Sequence, residues 1–127
     1  GSSLNLIMAQ RLIRTIDEST KEEYTPTPQE LSRLNLTPQN SNFTKFFRGK
    51  HTTDNHQTGY KGRTAIHEIL EVNNDMRQLI YDSTSQNEIK TLAIKNGMTT
   101  LREAGIAKIK TGESTIEEVL RATVEDN

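Results

Sequence analysis

Four Ser/Thr-x-x-Glu tetrapeptides constrain the fold of this 127-residue chain more than any other feature of its sequence. In such a box the first hydroxyl accepts a hydrogen bond from the amide three residues later, and the glutamate bonds back to the first amide. Each cap stabilises a helix by roughly 1 kcal/mol. The four boxes are Thr27–Glu30, Ser85–Glu88, Thr100–Glu103 and Ser114–Glu117. They predict one helix in the first part of the chain and three towards its end.

The second half of the chain is predicted to be helical. Gly97 and Gly112 follow two of the boxed segments, as is typical where a helix ends, and Asn74 is expected to cap a further helix. The apolar faces of these helices are small, and they comprise Met76, Leu79, Ile80, Ile89, Leu92, Ala93, Val119 and Leu120. Such faces predict a compact helical bundle over residues 74–123.

Apolar spacing in the first half predicts one helix and two strands. Leu4–Arg14 carries apolar residues at helical spacing on more than one face, which predicts a helix buried against a large surface. Phe43–Gly49 favours a short strand, and Arg63–Val72 alternates with the strand period of two. The expected fold class is therefore α+β and predominantly α, with a C-terminal helical bundle, a short antiparallel β pair and a small loop-rich knuckle subdomain.

Composition narrows the possible functions. Hydrophobic residues make up 31% of the chain, and the formal net charge is −1, with 16 basic and 17 acidic residues well mixed. A nucleic-acid interface needs a clustered basic excess, and a membrane span needs about 20 consecutive apolar residues. The sequence has neither. The absence of cysteine excludes disulfides and thiolate zinc sites. So thin a core fits part of a larger protein whose apolar faces find partners elsewhere.

Motifs for nucleotide or metal chemistry are missing or weak. There is no GxxxxGK[ST] phosphate loop, so no nucleotide site is expected in this sequence. His51, Asp54 and His56 are the best metal candidates, but three ligands without a clear fourth make a weak site, and solvated turn residues are the favoured interpretation. His67 and Glu68 would point to opposite faces of a strand, so they are not expected to act as an acid–base pair.

The roles of several charged residues stay open. Lys61 and Arg63 lie close to Gly59 and Gly62, whose freedom to take positive φ permits a tight turn. A phosphate-binding loop is one interpretation, and a structural turn with solvated cations is the favoured one. Two acidic pairs are assigned to the surface, Glu22–Glu23 and Glu117–Glu118.

Several segments, in this order, resemble the C-terminal end of the secretion ATPases, which are the motors of type II secretion and type IV pilus assembly. The most specific are AQRLIR at 9–14, GYKGRTAIHE at 59–68 and the segment 100–121. The resemblance covers residues 2–126. It implies a hexameric ATPase with a RecA-like core whose Walker motifs lie upstream of residue 1. It implies no catalytic or nucleotide-binding residue and no cofactor in this chain, with ATP and magnesium bound elsewhere in the parent protein.

The resemblance also implies a division of the chain and a set of contacts. Residues 1–14 would end the ATPase core as its last helix, 15–60 would form the knuckle subdomain, 61–73 would return to the core as a strand, and 74–127 would form a helical subdomain. The implied partners are the core, neighbouring subunits and platform proteins of the inner membrane, at its cytoplasmic side. The candidate contact residues are Arg11, Arg14, Lys61 and Arg63.

The chain departs from the family at the zinc knuckle. Many secretion ATPases carry two CxxC pairs there, and the matching positions of this chain are Asp17, Thr20, Thr52 and Asn55. The zinc site of the family is therefore not expected in this chain. Because structural zinc can supply roughly 10 kcal/mol or more of folding energy, residues 17–24 and 50–58 are expected to be the most mobile part of the chain.

The expected function is that of a motor tail, which contributes subunit contacts and motion coupling to an ATPase of type II secretion or type IV pilus assembly and does not hydrolyse ATP by itself. The alternative is a stand-alone α-helical adaptor that binds a protein partner. A third interpretation is a regulatory module that binds metal through His51, Asp54 and His56.

Overall fold

The computed structural model describes residues 4–37, 45–82, 85, 87–88, 91, 95 and 97–124. The elements with described bounds are β1 (Leu4–Ile16), β2 (Lys21–Tyr24), α1 (Pro28–Arg33), β3 (Phe46–Gly49), β4 (Tyr60–Val72), α2 (Asn74–Asp82), α3 (Leu101–Lys110) and α4 (Ile116–Thr123). A single 3-10 turn, Thr53–Asn55, lies between β3 and β4. No helix in these ranges is long and apolar enough to cross a membrane.

Two long strands form the framework of the molecule. β1 and β4 are 13 residues each and pair antiparallel, from Leu4 opposite Val72 to Ile16 opposite Tyr60. The register shifts between Ile7 and Ala9, so β1 carries a bulge there. The smaller sheet consists of β2 and β3, which pair antiparallel and lie in the segment that connects β1 to β4.

The helices pack on the long strand pair and do not form a bundle of their own. A core of buried residues includes Ile13 of β1 and Ile66 of β4 together with residues of three helices, α1, α3 and α4. The helical members of this core are Leu31, Leu101, Ile109, Ile116 and Val119. A smaller cluster joins the end of β4 to α2 and the segment before α3, through Leu70, Val72, Met76 and Met98.

The predicted fold class is wrong, because the molecule is a mixed α/β structure with two antiparallel sheets. The main error is Leu4–Arg14, which is strand and not helix. Its apolar residues recur on more than one face, and such a run fits a helix and a strand equally well. Pairing with β4 decides between them. The β pair is accordingly long, not short.

Local helix signals gave better predictions than the apolar pattern. The boxes at Thr27 and Thr100 are reciprocal capping boxes, and at Ser85 the hydroxyl accepts from the amide of Glu88 at 3.1 Å. The last helix is capped by Thr115 and not by Ser114. At α2, the side chain of Asn73 and not that of Asn74 accepts a hydrogen bond from the amide of Met76. Several predicted apolar positions lie outside the described residues or side chains, namely Phe43, Leu79, Ile80, Ile89, Leu92 and Ala93.

The β4 prediction is confirmed and positions the site. Its alternation buries Ile66, Glu68, Leu70 and Val72 on one face. β3 is confirmed within the predicted range. The division of the chain into core and subdomains stays a prediction.

Helices α3 and α4 approach closely at a glycine, and this contact is testable. A Cβ built on Gly105 would lie 2.5 Å from Cγ1 of Val119, which is fully buried. Replacing Gly105 by Ala should therefore lower the free energy of unfolding by about 1–2 kcal/mol, because overpacking outweighs the roughly 1 kcal/mol that Ala gains over Gly in a helix. In a Val119→Ala background the same replacement should stabilise. Urea denaturation of the wild type and the three variants measures this, and the same sign in both backgrounds would contradict the contact.

Candidate functional site: a polar knuckle, a buried ion-pair cluster and an open strand

The amide of Asn55 closes the knuckle by using its full hydrogen-bonding capacity. Its Oδ1 accepts from the backbone amides of Thr52 at 2.9 Å and Gly59 at 3.1 Å. Its Nδ2 donates to the Lys50 carbonyl at 2.8 Å and to Oδ2 of Asp17 at 3.0 Å. Asn55 is 2% exposed, so each of these bonds is worth more than it would be in water. One side chain thus joins the two loops of the knuckle.

Asp17 is the second centre of this network. It is also buried, and its Oδ1 accepts from the amide and the hydroxyl of Ser19 at 3.1 and 2.7 Å. These bonds from Ser19, together with that from Asn55, lower the pKa of the Asp17 carboxyl, although burial acts in the opposite direction. Its carbonyl accepts from the amide of Thr20 at 3.0 Å. The carboxylate is therefore held ionised mainly by hydrogen-bond donors, and the charge of Lys61 makes a smaller contribution.

Backbone contact between two glycines completes the knuckle. A Cβ on Gly49 would overlap the carbonyl of Gly59, and one on Gly59 would overlap the carbonyl of Gly49. Gly59 also has φ +80°, where other residues are strained. The end of β3 and the start of β4 can cross this closely only because both residues lack a side chain.

Asp17, Thr20, Thr52 and Asn55, the four positions that match the family's cysteines, therefore belong to one hydrogen-bonded knuckle. Thr52 caps the 3-10 turn by accepting from the Asn55 amide, and Thr20 donates to the Asp17 carbonyl at 3.3 Å. Hydrogen bonds among protein groups take the place where thiolates would converge on a metal. That residues 17–24 and 50–58 are the most mobile stays a prediction.

A buried carboxylate ties α4 to the long sheet. Glu118 is completely buried, and its two oxygens accept from Nε and Nη2 of Arg14 at 3.1 and 2.9 Å and from the Arg14 amide at 2.6 Å. Arg121 donates to the same carboxylate at 3.1 and 2.6 Å. Burial alone would raise the pKa of Glu118, but the bonds from Arg121 and Arg14 outweigh it and lower the pKa to about 2. The assignment of Glu118 to the surface is wrong.

Further bonds fix the same junction. The hydroxyl of Ser114 donates to the Arg14 carbonyl at 2.8 Å. Tyr60 lies under Arg14, whose guanidinium carbon is 4.3 Å from the ring centre, and its hydroxyl is 2.6 Å from that of Thr115. Burial raises the pKa of Tyr60. The start of α4, the end of β1 and the start of β4 are thus joined by direct side-chain contacts.

A cleft of about 330 Å³ lies beside this junction, lined in part by Arg14, Arg48, Tyr24 and Tyr60. Arg48 stacks on Tyr24 as Arg14 stacks on Tyr60. Both guanidiniums already pair with carboxylates, Arg48 with Glu22 at 3.2 Å. Burial raises the pKa of Tyr24 to about 12, so the phenol stays neutral. Among the described residues that line the cleft, neither guanidinium is therefore free to bind a phosphate.

The predicted contact residues occupy different environments. Lys61 and Arg63 are exposed on one face of β4, and Gly62 between them has φ +89°. Arg14 pairs inside the molecule with Glu118, and Arg11 donates to the Gln10 carbonyl at 2.9 Å. Only Lys61 and Arg63 thus present their cationic groups outward from β4. Their role as contacts stays a prediction.

The histidine-containing loop is a turn. His51, Asp54 and His56 are exposed, and His56 adopts the left-handed conformation at the end of the 3-10 turn. No group of three or more potential ligands is arranged for a metal within the described ranges. His67 and Glu68 lie on opposite faces of β4, as predicted, because only Glu68 belongs to the buried set.

Five large apolar side chains of β1 are exposed. Leu12 is 55% exposed and Ile7 65%. The other large apolar side chains exposed on this strand are Leu4, Leu6 and Met8. β4 is the only strand paired with β1 in the described part of the chain. Exposed apolar side chains in such number on one strand are typical of an interaction site.

Two functional features were missed by sequence reasoning, Glu118 and Asn55. A glutamate at the fourth position of a Ser/Thr box normally bonds back to its own cap. Shifting the box by one residue, to Thr115, places Glu118 at that position and leaves its carboxylate free for Arg14. For Asn55 the only signal was its match to a family cysteine.

Comparison with known proteins gives consistent matches. The family model described as type II/IV secretion system protein matches residues 1–121. The chain is 40% identical over 122 residues to type II secretion system protein E of Xanthomonas campestris, covering 96% of this chain and 22% of that protein. It is 41% identical over 119 residues to the type IV pilus assembly ATPase PilB of Thermus thermophilus, covering 94% of this chain and 13% of that protein. For protein E of Pseudomonas aeruginosa the identity is 34% over 126 residues, covering 99% of this chain and 24% of that protein.

The knuckle network predicts a strong dependence on one amide. Replacing Asn55 by Asp keeps its shape but removes both donors and places a carboxylate beside that of Asp17. We expect the free energy of unfolding to fall by about 2–4 kcal/mol, since buried groups lose their partners. The control is Asp54→Ala, an exposed change in the same turn, which should cost less than about 0.5 kcal/mol. Equal urea midpoints for the two variants would contradict the network.

The Glu118 cluster predicts acid sensitivity. The folded pKa of about 2 lies below the ordinary value of 4.5, so the stabilisation is present above pH 4.5 and is lost as the pH falls towards 2. The expected loss is roughly 3 kcal/mol. Glu118→Gln should be less stable at pH 7 by a similar amount and should show a flatter pH profile. Glu117→Gln, an exposed neighbour, should keep the wild-type profile. Thermal unfolding from pH 7 to pH 2.5 measures this difference.

Proposed function

The chain belongs to the type II/IV secretion system protein family, and on that premise we propose that it is the C-terminal part of a hexameric ATPase that powers type II secretion or type IV pilus assembly. It spans no more than about a quarter of each of the three relatives compared above. Its sequence has no phosphate loop, so ATP and magnesium are bound by another part of the motor.

The exposed apolar strand β1 carries this proposal. Five large apolar side chains of one strand are between 40% and 65% exposed, and leaving such a surface in water forgoes roughly 25 cal/mol per Å² of burial. In the motor, the ATPase core would cover β1. The strand would then be continuous with the domain that changes conformation during hydrolysis.

The Glu118 cluster supplies a means of coupling. It joins β1 to α4 through three hydrogen bonds from Arg14 to the Glu118 carboxylate, and Arg121 adds two more from within α4. A displacement of β1 by the core would therefore carry α4 and the helices packed on it as one body. Lys61 and Arg63, exposed on β4, would contact the core or a neighbouring subunit. The platform proteins of the inner membrane, on its cytoplasmic side, would be the further partners.

A chimera tests the proposal. The matched segment of type II secretion system protein E of Xanthomonas campestris would be replaced by this chain. We expect the chimera to hydrolyse ATP and to support secretion in a strain that lacks the native protein, whereas the purified 127-residue chain should show no turnover above background.

Two variants make the chimera informative. Leu12→Lys places a charge on the apolar strand and should abolish both activities, because β1 would no longer be covered. Lys110→Ala, an exposed change on α3, should leave both intact. ATP turnover by the purified chain alone would overturn the proposal. A chimera that folds and hexamerises but supports neither activity would favour the adaptor.

A further inference from the structure

A groove of about 820 Å³ runs between α1 and α4 and is bordered by the start of α3. Its floor is apolar, because Ile116, Leu120 and Val124 recur at a spacing of four residues along α4 and its continuation. Ile116 is buried, Leu120 is half-buried and Val124 is 59% exposed. No described residue of β1 or β4 lines the groove, so it stays open whatever covers β1.

The walls of the groove carry acidic side chains at one end. Glu30 and Glu117 lie in the first turns of α1 and α4, and both also line the cleft beside the ion-pair cluster. Glu30 accepts from its own cap, the amide of Thr27, at 3.1 Å. Glu117 is exposed and pairs with no cation in the described part of the chain. This end of the groove is therefore open to a positive charge.

The opposite end of the groove is basic and is closed by Arg102. Its guanidinium donates to the carbonyls of Arg33 at 3.5 Å and Thr123 at 3.4 Å, where α1 and α4 end. The two helices therefore run in the same direction along the groove. Arg121 already pairs with Glu118. Neither Arg33 nor Arg102 pairs with a carboxylate among the residues that the structure describes, so these two cations are available to an acidic partner.

This separation of charge selects a partner and its direction. Helices commonly carry acidic side chains in the first turn and basic ones in the last, because those charges complement the helix dipole. A helix of this kind that lies antiparallel to α4 places its acidic turn beside Arg33 and Arg102 and its basic turn beside Glu30 and Glu117. The same helix lying parallel to α4 would bring like charges together, which is costly at an interface.

We propose that the groove binds an amphipathic helix of a partner protein, antiparallel to α4, with its apolar stripe over Leu120 and Val124. The helix has acidic residues in its first turn and basic residues in its last. From Ile116 to Val124 the floor rises about 12 Å, so the contact takes about two turns of the partner. Apolar residues at i, i+4 and i+7 are typical anchors when a helix binds in a groove. This surface does not depend on what covers β1, so the inference goes beyond the proposed function.

Four alanine-rich helical peptides test the contact on the 127-residue chain. The matched peptide has glutamates in its first turn, lysines in its last turn and leucines at i, i+4 and i+7. Two others carry only lysines or only glutamates in both turns, and the fourth has glutamines in place of the leucines. Fluorescence anisotropy gives the dissociation constants. The matched peptide should bind at least about tenfold more tightly than either uniformly charged peptide, because each of those places like charges together at one end. The glutamine peptide should not bind.

A charge reversal in the chain identifies the contact. Arg33→Glu should weaken binding of the matched peptide at least about tenfold, and exchanging one first-turn glutamate of the peptide for lysine should restore binding to this variant. Arg77→Glu is the matched control, since Arg77 is exposed on α2 and does not line the groove. A nitroxide on the first residue of the peptide should broaden the amide signal of Arg33 more than that of Glu117.

Several results would overturn the inference. They are equal binding of the matched and uniformly charged peptides, stronger broadening at Glu117 than at Arg33, unchanged binding in Arg33→Glu, or no binding of the matched peptide at about 1 mM. Binding only to a chain truncated after Val124 would mean that residues 125–127 occupy the groove. A dimer in sedimentation equilibrium that Arg33→Glu dissociates would mean that a second copy does, and either finding would also overturn it. None of these results bears on the chimera, so the two proposals fail independently.

Discussion

The ion-pair cluster at Glu118 holds together two ends of the chain that are 104 residues apart. Its carboxylate has no access to solvent, and such a group is stable only when every oxygen is satisfied by strong donors. Two guanidiniums and one backbone amide meet that need. Because one of the donors is the main chain of β1, the cluster fixes the strand itself and not only a side chain. The packing of α3 and α4 over the sheet depends on this junction.

In the knuckle, buried hydrogen bonds instead of a metal ion hold together short loops that contain little apolar surface. Many secretion ATPases carry cysteine pairs for zinc at the matching positions, as the resemblance implies. Here the amide of Asn55 makes four hydrogen bonds, and the carboxylate of Asp17 accepts from Ser19 and from Asn55. Each bond contributes modestly in net terms. The network matters because none of its buried groups can lose a partner without cost.

The long sheet is complete on one side only. Helices α3 and α4 cover its inner face near Ile13 and Ile66, whereas the first half of β1 presents apolar side chains and backbone groups to the outside. Glu68 lies at the boundary between these two regions. The molecule therefore has a densely hydrogen-bonded end at the ion-pair cluster and an exposed apolar end at β1.

The sequence by itself determined the features whose partners lie within four residues. The capping boxes at Thr27 and Thr100, the half box at Ser85 and the alternation of β4 depend on local hydrogen bonding and on one face of a strand, so they can be recognised in the amino-acid order. The resemblance to the secretion ATPases, carried by three short segments, gave the family correctly. Tertiary structure decided the rest. Leu4–Arg14 is a strand because β4 offers it a 13-residue partner, and its apolar pattern alone is compatible with either conformation. Glu118 is an anchor and not a surface charge because Arg14, distant in sequence, reaches it. Asn55 is a structural centre because four groups from separate turns converge on it. In each case the interaction that fixes the residue joins segments that only the folded chain brings together.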